Sequence, residues 1–170
     1  MDPVVEAFNS LPAERLEADL SACCAAPAWG ARIVSGRPYP ARPLIRAAAD
    51  AAARSLTWAD VLKGLSAHPR IGERAQGDSQ EAAWSRHEQS AAATSGDDTT
   101  KAALITANRA YEHRFGHVFL IFASGRSQEE ILAAATERLG NDDETEQAIV
   151  ADELRKIAPL RLERLLDALG

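Results

Sequence analysis

His117-Val118-Phe119-Leu120-Ile121-Phe122-Ala123 is a short apolar run that fits either a buried strand or a turn of buried helix. Its reading decides between an all-helical chain and a mixed one. No partner strand is visible elsewhere, so the run is read as extended or irregular buried backbone and the fold as all-α. Composition agrees: 46% of the 170 residues are hydrophobic, aromatics are 5%, and the apolar share leans on alanine and leucine. Those two lose little side-chain freedom in a helix.

Working outward, Leu104, Asn108 and Tyr111 share one face of a helix expected from about Thr100 to Phe115. Gly116 is its left-handed terminator. After the run, Ser127 with Glu130 forms a capping box, and Gly140 closes that helix after Arg138. Asn141 with Glu144 opens the last and longest helical stretch, striped by Leu154, Ile157, Leu162, Leu165 and Leu166. Pro159 deletes one backbone bond there and is expected to kink it.

Toward the N-terminus, Asn9 and Ser10 before Leu11-Pro12 read as a cap for a helix through Leu16 and Leu20 to Cys23-Cys24. Gly30, Gly36, Pro38 and Pro40 make residues 29–40 irregular. Pro43 opens an alanine-rich helix, roughly Leu44 to Arg54. Thr57 with Asp60 caps a helix bearing Trp58, Val61, Leu62 and Leu65 that reaches His68, where Pro69 ends it. Arg70 to Gly77 is a loop. Asp78 with Glu81 caps a helix holding Trp84, Ser85, Glu88, Gln89 and Ala92, broken at Ser95-Gly96-Asp97-Asp98. The expected architecture is a single-domain helical bundle over residues 1–170 with a long, kinked C-terminal helical segment.

The formal net charge of −6 disfavours a nucleic-acid phosphate surface, and no basic stripe interleaves with aromatics. Cys23 and Cys24 are adjacent and cannot easily bridge each other, so they read as small packing residues. No apolar run reaches membrane-spanning length and no signal pattern opens the chain, which makes a cytoplasmic location the expectation.

For chemistry, the stretch His68-Pro69-Arg70-Ile71-Gly72-Glu73-Arg74 presents an imidazole at a proline-ended helix, beside a glycine-bearing turn. His68 exchanges protons near neutral pH. Glu88, twenty positions on, could orient it or accept substrate N–H groups, and Ser85 and Gln89 share its helical face. The bland alternative is a capping histidine with a surface glutamate. Arg161, two residues after Pro159, could turn its planar fork into a cleft, or simply bridge Glu163 or Asp167 on the surface. His113 and His117 are four apart, but Gly116 breaks the phase that a metal-binding pair needs, and no catalytic metal is expected. No phosphate loop, dinucleotide fingerprint or nucleophile elbow occurs.

AHPRIGER at 67–74, WSRHEQSA at 84–91, NRAYEHRFGHVFLIFASGRS at 108–127 and KIAPLRLERL at 156–165 together make the chain resemble the 2-oxo-4-hydroxy-4-carboxy-5-ureidoimidazoline (OHCU) decarboxylases of uric acid degradation. The resemblance implies an all-α enzyme that needs no cofactor, takes OHCU as its small-molecule substrate, releases CO2 and (S)-allantoin, and forms a homodimer. It implies that His68 is the catalytic histidine and Glu88 the active-site glutamate. Ser85, Arg86, His87 and Gln89 then contact substrate, as do Leu120, Ile121, Phe122, Ala123 and Ser124, the latter mainly through backbone. Pro69 lines the pocket, and Arg161 matches the substrate-binding arginine. Two other readings of the residues stay open: a non-enzymatic helical adaptor with an exposed apolar groove, and a metal-dependent hydrolase using His87, Glu88, His113 and His117.

Overall fold

The computed structural model describes residues 1–66, 68–71, 80–94 and 97–170, and all regular structure among them is helical. The chain divides into two units, one of residues 1–67 with 154–170 and one of residues 68–153.

The first unit opens with α1 (Pro3–Ser10), capped by Asp2, whose carboxylate accepts the Val4 N–H at 2.9 Å. The reading of Asn9 and Ser10 as a cap for the next helix is overturned. Ser10 Oγ donates to the Glu6 carbonyl in the last turn of α1, and Asn9 brackets Tyr39, donating to its carbonyl and accepting from its N–H at 2.8 Å each. α2 (Ala13–Cys23) starts after Pro12 with no side-chain cap.

The irregular reading of residues 29–40 fails as well, because α3 (Pro27–Ser35) is helical through Gly30. Pro27 sits in its first turn and Gly36 at its end, the ordinary proline-start, glycine-end asymmetry. Gly30 is buried in this helix, and a Cβ there would meet Leu20 Cβ of α2 at 3.5 Å, ordinary van der Waals contact. Trp29 is buried, and its indole N–H donates to the Ala49 carbonyl of α4 (Arg42–Arg54) at 3.0 Å.

α5 (Trp58–Leu65) carries the expected Thr57–Asp60 capping box. It stops at Leu65 rather than reaching His68, because the Ser66 backbone and hydroxyl both turn back onto the Lys63 carbonyl. Leu62, placed on the inner face by sequence, is exposed. The unit closes with the C-terminal part of α10 (Asp143–Ala168), whose Ile157, Leu162 and Leu166 are buried, as are Phe8, Leu16, Leu20, Ile33 and Ile45 of the same unit.

The second unit begins with the non-helical residues 68–71 and contains α6 (Gln80–Glu88), α7 (Ser90–Thr94), α8 (Asp98–Phe115), α9 (Gln128–Arg138) and residues 143–153 of α10. The capping role read for Asp78, residues 72–77 of the expected Arg70 to Gly77 loop and the break at Ser95-Gly96 lie outside the described residues. Asp97 caps α8 through the Thr100 N–H at 2.8 Å, and Gly116 ends it in the left-handed region at φ 81°. Ser127 and Glu130 form the expected capping box of α9. The cap of α10 is Asp142, which accepts the Thr145 N–H at 2.7 Å, and not Asn141, whose amide is drawn inward to Glu146. α10 runs on through Pro159, which has no N–H to give to the helix.

Residues 117–123 are non-helical and pair with no strand among the described residues. Phe119, Ile121 and Ala123 bury their side chains in one cluster with Leu104, Ala107 and Tyr111 of α8 and Ile131 and Ala135 of α9. Side-chain packing therefore seats this stretch against α8 and α9, with no sheet ladder among the described residues.

Candidate active site

One apolar cluster joins the three stretches of the second unit to which sequence assigned chemistry. Ile71 of the His68 turn, Ala92 of α7 just beyond Glu88, and Phe119, Ile121 and Ala123 all belong to it. α8 anchors the first of these. Its Asn108 amide donates to the Ile71 carbonyl, and its Glu112 takes Arg70 through two hydrogen bonds of 2.6 and 3.2 Å. Asn108 and Glu112 are four apart, so one helical face grips two consecutive residues of the turn. His68 and Pro69 are thereby held half-buried.

α6 contributes Ser85 and Glu88, which are 2% and 7% exposed. A carboxylate is seldom so buried unless its environment compensates it. The reading of Glu88 as a surface residue is thus contradicted. α6 ends at Glu88, and Gln89 falls in the turn before α7, where its N–H still donates to the Ser85 carbonyl at 3.1 Å. Gln89 and Arg86 are half-buried, whereas His87 is exposed.

The 120–124 stretch presents its backbone unevenly. The Leu120 carbonyl accepts from Arg138 at 2.7 Å, and the Phe122 and Ala123 carbonyls are taken by Arg126 at 2.9 and 3.0 Å. Ile121 is buried, yet its N–H and C=O bond to no described residue. Phe122 and Ser124 are half-buried.

Arg138 and Glu146 were missed by sequence. Arg138 Nε and Nη2 donate to Glu146 Oε1, the first at 2.8 Å, and the Tyr111 hydroxyl donates to the same oxygen. Asn141 Nδ2 reaches Oε2 at 3.1 Å. The guanidinium lies 4.5 Å from the Phe119 ring centroid. Burial and the Glu146 charge both push the Tyr111 phenol well above its ordinary range, so it stays a proton donor. A basic residue in the last turn of α9 reads in sequence as a helix-dipole complement, which hid this role.

Arg161 belongs to the first unit and is 1% exposed, donating to the Ala22 carbonyl at 3.2 Å. The surface alternative for it is overturned: Glu163 and Asp167 pair instead with Arg42, and Glu163 also with Arg46. A cavity of about 340 Å³ in that unit is lined by Glu14, Glu17, Cys24 and Pro27 among others and contains no residue assigned to the site. Gly116 does separate His113 from the phase of His117, whose Nδ1 lies 3.0 Å from the Val118 carbonyl oxygen. Among the described residues, no group of histidine, cysteine, aspartate and glutamate is arranged to hold a metal ion.

Comparison with known proteins places this architecture. The sequence pattern of the OHCU decarboxylase family matches residues 9–163. A 2-oxo-4-hydroxy-4-carboxy-5-ureidoimidazoline decarboxylase of Amia calva is 33% identical over 141 residues, covering 82% of this chain and 81% of its own. The uric acid degradation bifunctional protein TTL of Arabidopsis thaliana is 32% identical over 88% of this chain, which spans only 47% of that longer protein. The crystal structure of an OHCU decarboxylase in the presence of (S)-allantoin superposes with a TM-score of 0.74 at 28% identity, covering 86% of this chain and 96% of that one. The structure of an (S)-allantoin synthase shares the fold, with a TM-score of 0.69 at 19% identity over 94% of this chain and 53% of its own. The chain belongs to the OHCU decarboxylase family.

Proposed function

We propose that this chain is a carboxy-lyase that decarboxylates OHCU to (S)-allantoin in uric acid degradation. The observation that carries the reading is the family match over residues 9–163, which contains every residue assigned to the site. Burial of Glu88 and the shared cluster behind residues 71, 92 and 119–123 support it.

In OHCU a hydroxyl and a carboxylate share one ring carbon, next to a C=N carbon that bears the ureido group. When the C–C bond to the carboxylate breaks, its electron pair forms a C=C bond to that neighbour, and the C=N pair moves onto nitrogen, which takes a proton from solvent. CO2 leaves. The substrate holds its own electron sink, so the reaction needs no cofactor. His68 accepts the hydroxyl proton as the ring carbonyl forms, and the C=C pair takes a proton at the ureido-bearing carbon. Protonation from one face sets the (S) centre. The balance consumes one proton.

Glu88 holds the imidazole or the ring N–H groups, with Ser85 and Gln89 beside it. Ile121 offers an N–H and a C=O on one buried residue, matching the donor and acceptor of a ring amide edge; buried backbone groups seldom stay unpaired without such a purpose. Arg161 anchors an anionic or carbonyl oxygen, a role that rests on the resemblance and on its burial. Homodimerisation and a cytoplasmic location belong to the same reading.

Spontaneous decay of OHCU yields racemic allantoin. With fresh substrate and purified protein, optical rotation is expected to appear faster than in buffer. A rate of rotation equal to buffer defeats the assignment.

A further inference from the structure

The buried ion pair between Arg138 and Glu146 is costly to assemble and needs a reason beyond stability. Side-chain exposure is 8% for Arg138 and 1% for Glu146. Two charges taken out of water recover their hydration only where every remaining lone pair and N–H is engaged. Here they are engaged to an unusual degree. Glu146 accepts from Arg138, Tyr111 and Asn141. Arg138 keeps Nη1 for the Leu120 carbonyl and its flat face for the Phe119 ring. A well-packed apolar pair would often match such an arrangement in stability. What an apolar pair could not do is hold a carbonyl at a fixed angle.

That carbonyl precedes Ile121, the buried residue whose own backbone groups have no described partner. No strand pairs with residues 117–123 among the described residues, so no sheet ladder sets the rotation of the 120–121 peptide plane. Arg138 sets it instead, since fixing the Leu120 C=O fixes the Ile121 N–H in the same planar unit. Glu146 aims the guanidinium, and Tyr111 and Asn141 aim Glu146.

We propose that Arg138 is a positioning residue for the substrate, acting through the Leu120–Ile121 peptide, with Glu146 and Tyr111 as its supports. This rests on the decarboxylase reading and deepens it. The arginine touches no reacting atom. It keeps one peptide plane turned so that the Ile121 N–H meets the heterocycle, and its loss loosens substrate binding before it alters chemistry.

The experiment is steady-state kinetics on the full chain and on Arg138→Lys, with amide hydrogen exchange followed on both. A lysine keeps the charge but cannot donate to Glu146 and to Leu120 while lying flat on Phe119. The expected result is a KM raised about tenfold, less than the ~10²-fold that a full ångström of misplacement costs, with kcat changed less. Faster exchange at residues 119–124, with α2 to α4 unchanged, is expected alongside it. A merely structural role would lower the folded fraction, and so the maximal rate, while leaving KM where it was; that pattern in folded Arg138→Lys overturns the proposal. Should Arg138→Lys not fold, Tyr111→Phe removes one hydroxyl and leaves the ion pair. A KM raised about threefold there supports the proposal, and an unchanged KM sinks it. Loss of activity in the parent chain itself would be a different failure, that of the decarboxylase reading, and would take this inference with it.

Discussion

Glu88 is where a sequence-level ambiguity ends. The same glutamate reads as a solvated helix residue or as a site carboxylate, and its 7% exposure removes the first, leaving the second as the proposed role. His68→Ala and Glu88→Ala are each expected to lower the rate of (S)-allantoin formation by about 10²-fold or more, the usual yield of a positioned acid or base. Optical-rotation kinetics on variants with parent-like circular dichroism checks this; near-parent rates would remove either residue from the mechanism. At Cys24, burial pushes the thiol up to about 11, opposed weakly by the Ala26 backbone and by Arg161. At pH 8 only about one Cys24 in a thousand is then thiolate, three pH units below that value. Iodoacetamide is accordingly expected to spare Cys24 in the folded chain and to modify it rapidly in urea, as mass spectrometry of the labelled peptide would record.

At the level of elements, α8 organises the second unit. One face buries Leu104, Ala107, Asn108 and Tyr111, spaced as a helix stripe requires. That face meets the His68 turn through Asn108 and the 119–123 stretch through Tyr111. Gly116 then reverses the chain at φ 81°, with open space where a Cβ would stand. Gly116→Ala is therefore expected to cost about 1–2 kcal/mol through backbone strain alone, without steric clash. Urea unfolding monitored by circular dichroism measures it, and an unchanged midpoint would mean that the turn relaxes into another cap.

For the whole molecule, helix starts set the acid limit. Asp60, Asp97 and Asp142 each accept hydrogen bonds at a helix start, first among them the N–H of the cap residue Thr57 for Asp60, the Thr100 N–H for Asp97 and the Thr145 side chain for Asp142. Those bonds hold all three carboxyls below their ordinary 3.8. A carboxyl with a depressed folded-state value binds its proton more readily in the unfolded chain. Its stabilisation is complete above the unfolded value and fades as pH falls through the folded one. Glu163, held low first by its hydrogen bond to Arg46, adds in the same direction. The urea midpoint is expected to be insensitive to these groups between about pH 5 and 7 and to fall below about pH 4. A midpoint that rises on acidification would contradict the assignment.

Local chemistry was legible before any coordinates. The Thr57 and Ser127 capping boxes, the Gly116 terminator and the Leu104–Asn108–Tyr111 face depend on nearby neighbours, so the sequence carried them unaided, whereas the irregular reading of residues 117–123 rested on the lack of a partner strand elsewhere in the chain. α3 was misread because proline and glycine break a helix or bound one according to position: Pro27 and Gly36 bound it, and Gly30 lies inside it without ending it. α1 was overlooked although Asp2-Pro3 is a cap and first turn. The motifs named the family and its candidate residues. Only tertiary structure decided that Ser85, Glu88 and Arg161 are buried, and that Arg138, eighteen residues after Leu120, holds its carbonyl. Burial and long-range hydrogen bonds depend on which surfaces meet, and no local spacing encodes that.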